Sequence, residues 1–242
     1  MQANVHVVEA LWIFHLVIEI PLAGIMYRRK LHRQFPIFFA YILFQVVGFA
    51  ILFPLYLSRN SADYFFAYWI SAIACWVFGF KVIHEVFSDV FRLFPALKDM
   101  GTVLFRWGAL MTPLLMFVIF ASSSSGSATL LREGLIGTER CVRFIQCALI
   151  LFLLLFSSYL GVSWRKQSIG IALGYGWFAG VELFAFMFYY EGAINHVAEL
   201  LNSVAYSLTL IVWIAYLAFP ASNTLPNFRN PQDLSTVDGG TF

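Results

Sequence analysis

The chain of 242 residues is 61% hydrophobic and only 12% charged, with a formal net charge of +2 and a mean hydropathy of +0.79. A soluble domain averages about 25% charged residues, so water as the only solvent is excluded, and the scattered basic residues form no nucleic-acid-like face. The apolar residues gather into runs of about 20, enough at ~1.5 Å per residue to cross a hydrocarbon core of ~30 Å, and this reads as an integral membrane protein.

Seven runs are predicted, at 6–27, 35–57, 64–88, 102–121, 140–163, 168–190 and 196–219. Lipid offers no partner to backbone N–H and C=O groups, and the alternating pattern of a barrel strand is missing, so each run is expected to be a helix. The opening stretch, "MQANVHVVEALWIF", has neither a positive n-region nor a small-residue cleavage site, so the first run is expected to stay as a span. Short polar connections separate the runs, except for "SSSSGSATLLREGLIGT" at 122–138, which reads as a flexible surface loop. The expected organisation is therefore an all-α polytopic domain over 1–220, followed by a polar, disordered cytoplasmic tail at 221–242. Cys75, Cys141 and Cys147 show no paired metal spacing and read as small apolar fillers.

Orientation follows from the basic residues. With the N-terminus outside, the inner side holds Arg28, Arg29, Lys30, Arg33, Arg92, Lys98, Arg106, Arg165, Lys166 and Arg229. The outer side then holds only Arg59, Arg132, Arg140 and Arg143. Ten against four favours N-out and C-in by the positive-inside rule, in the cell membrane.

The sequence also echoes itself. A shift of 137 lays "GIMYRRK" (24–30) on "GVSWRKQ" (161–167) and Gln45 on Glu182, and a shift of 138 lays Ala67-Tyr68 on Ala205-Tyr206. Runs one to three and five to seven would then form two parallel triplets joined by run four, a 3+1+3 arrangement about an axis along the membrane normal. In span count and orientation the chain resembles SWEET-type transporters and opsins. It is also similar to bacterial seven-span integral membrane proteins with a "FRLFPAL" connection and a "GIALGYG" sixth span. The opsin resemblance does not extend to covalent retinal, because from Ser168 onward there is no lysine; no cofactor is expected.

Ionisable groups at bilayer depth cost a few kcal/mol even on lenient insertion scales, and so mark candidate sites. Glu19 lies in run one before Pro21, which frees the carbonyl of Val17, and His15 shares its helical face one turn above. Glu182 lies in run six at a depth that makes a His15–Glu182 pair conceivable, with Gln45 at mid-depth on run two. Together with Tyr68, Asn202 and Tyr206 these residues form the expected ligand-binding lining. At the inner end, "KVIHEVF" sets Lys81, His84 and Glu85 on one turn and a half, read as a local Lys81–Glu85 ion pair or an inner gate. At the outer end, His6 with Glu9 and His196 with Glu199 repeat H-x-x-E, a pattern that can hold half of a metal site. Gly170, Gly174, Gly176 and Gly180 spell two G-x-x-x-G words that allow close helix approach.

No zinc-protease, nucleophile-elbow or phosphate-loop motif is present, which argues against an enzyme. The leading reading is an integral membrane protein that binds a small molecule at a mid-membrane polar site between the two halves, with transport as the larger claim. The alternatives are a seven-span receptor or sensor signalling through a separate membrane or cytoplasmic partner, and a structural subunit of a membrane complex. The lipid bilayer and an unknown small molecule are the expected partners.

Overall fold

The computed structural model describes the backbone of residues 2–58, 61–92, 128–188 and 195–219 with a few isolated positions between, and the side chains of 10–58, 62–92, 134–185 and 200–219. Among the described residues every long element is an α-helix and none is a strand. The helices are α1 (Gln2–Arg28), α2 (Pro36–Leu57), α3 (Ser61–Val90), α4 (Ala128–Tyr159), α5 (Lys166–Phe188) and α6 (Asn195–Ala218). All six contain a stretch long and apolar enough to cross a membrane. Their outward faces are apolar, with Val17, Ile70 and Leu155 among the exposed side chains, as contact with acyl chains requires. The run predicted at 102–121 and the tail at 221–242 lie outside the described residues.

Local sequence accounts for the helix ends. Pro36 opens α2 at a position where a missing N–H costs nothing, but Phe35 before it cannot cap. The Glu85 carboxylate of α3 takes that part, accepting from the amides of Ile37 and Phe38 at 2.9 Å each. Between α1 and α2 the chain reverses through Lys30 at φ 58° and a 3-10 turn at Leu31–Arg33. After α4 it turns at Gly161, whose φ of 60° suits a residue without Cβ. One sequence expectation fails here: 128–138, read as loop, is the first third of α4. Arg132, Glu133 and Glu139 depress the hydropathy of that stretch below that of a span, yet without proline they do not stop a helix from propagating.

Contacts set the order and the directions. The helices form a ring, each touching its chain neighbours, with α6 closing on α1 and α3 also touching α5. Helix α1 runs parallel to α6, because His15 meets Ser203 and Ser207 while Arg29 at its far end donates to Leu217 O at 3.0 Å. Helix α3 runs parallel to α4, because Gln146 Nε2 donates to Trp76 O and Phe156 packs on Phe91. The pairs α2/α3, α4/α5 and α5/α6 are antiparallel: Ile37 meets Glu85 and Gln45 meets Cys75, Arg143 meets Glu182 and Ile150 meets Gly176, and Gly170 meets Tyr216 and Gly174 meets Trp213.

The ring is filled by aromatic side chains. Trp76, Trp213, Tyr175 and Phe38 are buried, and Phe38 and Tyr41 both meet Trp213 edge to face, at 4.9 and 6.3 Å between centroids. Close approach rests on missing Cβ atoms: a methyl at Gly170 or Gly174 would overlap Tyr216 or Trp213, so the first glycine word is packing surface. Gly180 of the second word faces open space.

Burial also tests the internal echo. Residues 137 apart are buried together on α2 and α5 (Phe38/Tyr175, Tyr41/Phe178, Ile42/Ala179) and on α3 and α6 (Trp76/Trp213, Phe80/Leu217). The shift of 138 does less well, since it lays exposed Tyr68 on buried Tyr206. The words that first suggested the echo do not share a place: Gly24 lies inside α1, whereas Gly161 follows the end of α4.

Candidate functional site

Two clusters of polar side chains stand inside the ring among the described residues. The first is built on Glu19, nine residues past the start of the apolar stretch of α1 and so ~14 Å along the helix axis. Its side chain is buried, and Oε1 accepts a 2.6 Å hydrogen bond from Tyr206 Oη. Gln45 Nε2 donates to Tyr41 Oη at 3.2 Å and Tyr206 Oη at 3.4 Å, while its Oε1 accepts from Cys75 Sγ at 3.3 Å. His15 sets its ring against the edge of Tyr206, with Nε2 at 3.0 Å from Ser207 Oγ and 3.2 Å from Ser203 O. Ser207 Oγ already gives its proton to Ser203 O, so Nε2 of His15 is the N–H that donates into the pair. Four helices, α1, α2, α3 and α6, thus share one hydrogen-bonded chain, in which the phenol of Tyr206 is the hub.

The second cluster is a buried ion pair. Arg143 Nε on α4 lies 2.8 Å from Glu182 Oε2 on α5, with both side chains less than a tenth exposed. At that distance the two charges meet directly, with no atom between them. Arg143 is fixed from two other sides: Nη1 donates to Gln146 Oε1 at 3.2 Å, and the guanidinium lies 5.5 Å from the centroid of Phe178. Gln146 is itself oriented by its bond to Trp76 O, so its carbonyl has no other direction to face. Gly79 leaves the space for this arrangement, since a methyl there would overlap Tyr175 Oη and Gln146 Nε2. Glu139, one turn before Arg143, adds a second carboxylate near the guanidinium.

Of the residues expected to line one site, His15, Glu19, Gln45 and Tyr206 are joined directly. Glu182 belongs to the other cluster, and the expected His15–Glu182 pair is not formed, because each has a nearer partner. Asn202 lies one turn before Tyr206, with its Oδ1 buried and without a hydrogen-bond partner among the described residues. Tyr68 stands apart: it is 40% exposed and packs on Tyr64 and Trp69.

The inner end also differs from expectation. Glu85 does not pair with Lys81, which is exposed; its carboxylate is occupied by the amides that open α2. His84 is half-buried beside it. One turn on, Asp89 accepts from Arg165 Nη1 at 3.1 Å and Ser168 Oγ at 2.5 Å, tying α3 to the start of α5. The end of α3 is therefore a strut on which α2 and α5 both rest. The side chains of His6, Glu9, His196 and Glu199 lie outside the described residues, and no metal-ligating cluster occurs among those described.

Arg143 is the buried charge that sequence reasoning misplaced. Assigned to the outer boundary because the fifth run was started at 140, it is buried inside the bundle, since α4 begins twelve residues earlier, at Ala128. That leaves three basic residues in the outer group. The spacing of Glu139, Arg143 and Gln146, one polar stripe at helical period, was the available signal.

An apolar groove of about 470 Å³ runs between α5 and α6, lined by Gly176, Gly180 and Ala205 among others; neither carboxylate cluster opens into it. Comparison with protein-family models, curated proteins and solved structures returns no match for this chain.

Proposed function

We propose that this is a seven-span membrane protein, N-terminus outside, that binds a small polar molecule between two three-helix halves at mid-membrane and carries it across. The six apolar helices support the membrane address. The parallel course of α3 and α4 supports a seventh crossing: in a bilayer the segment joining two parallel neighbours must return to the first side, and the apolar run at 102–121 has the length to do so. Contacts α1/α6 and α3/α4 are what a two-fold axis between the triplets α1–α3 and α4–α6 requires, and the burial that α2/α5 and α3/α6 share at a spacing of 137 favours it, although on α1/α4 buried Leu22 falls on exposed Tyr159.

The observation that carries the functional reading is the Arg143–Glu182 pair. A buried ion pair contributes little net stability compared with apolar side chains of the same volume, so packing alone is a poor reason to keep one inside a bundle. A carrier has use for it, because charges that exchange partners let the two halves hold and release a polar substrate. The Glu19 cluster lies across the ring from it, with Tyr41 of α2 meeting Tyr175 of α5 in between.

The test is flux. Purified protein in proteoliposomes is expected to move a substrate down its gradient at a rate that Glu182→Gln lowers at least tenfold or makes independent of pH. An unaltered rate and pH profile would remove Glu182 from the site. Binding without net movement would replace the carrier by a receptor that works through a separate partner.

A further inference from the structure

Building on the carrier reading, we infer that the substrate is a small organic carboxylate, which takes the place of the Glu182 carboxylate on Arg143. The guanidinium is held ready for such an exchange. Gln146 and Phe178 hold it from two sides, while the contact with Glu182 is made at Nε, by Oε2 at 2.8 Å. Guanidinium groups bind carboxylates best through two parallel N–H···O bonds, and this resident carboxylate does not make them. A free carboxylate able to turn can do better on the same cation.

The exchange also balances. Glu182 takes up one proton and leaves as a neutral acid; the incoming anion then supplies the negative charge that Arg143 needs, and the net charge of the site is unchanged. The groups that act on Glu182 from the surrounding helices are Arg143, Glu139 and Cys147 of α4, Tyr68 and Cys75 of α3, and Tyr175 of α5. Among these, only Arg143 carries a fixed positive charge. The wall beside the cation is aromatic, from Phe178 and Tyr175, which suits a carboxylate with a flat or apolar body.

Benzoate is the probe, measured by calorimetry on the full-length protein in detergent micelles, with neutral benzamide and cationic benzamidine as isosteric controls. Binding is expected to tighten about tenfold for each pH unit lowered, since one proton enters with each anion. Glu182→Gln, which mimics the neutral acid, is expected to bind benzoate at least tenfold more tightly than the parent at neutral pH, with a flat pH profile. Addition of benzoate should also raise its melting temperature. Arg143→Gln/Glu182→Gln, which removes both charges together and so avoids a lone buried carboxylate, is expected to lose benzoate binding. The inference is overturned if the Glu182→Gln protein binds benzoate no better than the parent, or if the double variant binds it equally well. Binding of benzamide or benzamidine in place of benzoate would sink the carboxylate while leaving the mid-membrane site standing. Failure of all three probes to bind would count against both.

Discussion

The two buried glutamates make opposite bargains with the low dielectric around them. Glu182 has a full cation beside it, held by a glutamine and an aromatic ring, and that glutamine and Tyr175 have their places because residue 79 is glycine. Glu19 has no cation near enough to pair among the described residues; it has the hydroxyl of Tyr206, and through it the amide of Gln45, which meets a phenol and a thiol. A carboxyl group answered by a neutral donor can carry its proton and keep its place, whereas one answered by arginine holds its partner in place as much as itself. The difference teaches that Glu19 can be replaced by a neutral analogue with nothing else changed, whereas a neutral residue at 182 leaves Arg143 in want of another anion.

The largest effect should come from separating the charges. Arg143→Gln leaves Glu182 buried with no cation, and loss of one member of a buried pair costs about 3–5 kcal/mol. Removing both charges in Arg143→Gln/Glu182→Gln should recover at least half of that, read as the midpoint of unfolding in mixed micelles. A double variant as unstable as the single one would mean that Arg143 acts through packing. Next in size is the backbone that makes room. Gly79→Ala pushes a methyl into Tyr175 and Gln146 and should destabilise by about 1–3 kcal/mol, as overpacked cores do. Gly24→Ala, in α1 near Glu19, meets nothing within 4 Å and should be neutral or gain up to about 1 kcal/mol of helix propensity. Equal effects at the two glycines would erase the contrast between the clusters.

The sequence revealed these regions unequally, for physical reasons. The helices were legible because lipid demands long apolar runs, and α2, α5 and α6 fall within about two residues of expectation. The start of α4 was not legible, because charged residues that face the protein interior look, to a hydropathy window, like residues at a boundary. Glu19 and Gln45 stand out as polar residues inside apolar runs, a test that needs no partner, whereas Tyr206 is reached through the echo with Tyr68. Which residue answers Glu182 depends on the rotation of α4 against α5, about which the linear order says nothing, so Arg143 was set at the outer surface and His15 was given its place. Glu85 was misread in a similar way. The i, i+4 spacing to Lys81 is visible in one helix, whereas the bare amides of Ile37 and Phe38 come from another.

The smallest effect is the sharpest test of the neutral-donor side of the comparison. Tyr206→Phe removes the hydroxyl that donates to Glu19 and accepts from Gln45, and keeps the ring that packs on His15 and Phe178. Hydrogen bonds between membrane helices average about 0.6 kcal/mol, because the unfolded chain in lipid finds other partners. Glu19→Gln should cost no more than that, since an amide carbonyl can accept from Tyr206 as the carboxyl does. The pair Tyr206→Phe/Glu19→Gln should then be close to either single change, because one bond cannot be lost twice. If Glu19→Gln alone costs as much as Arg143→Gln, the carboxyl is a charge with a hidden counter-ion, and the two clusters treat their glutamates alike.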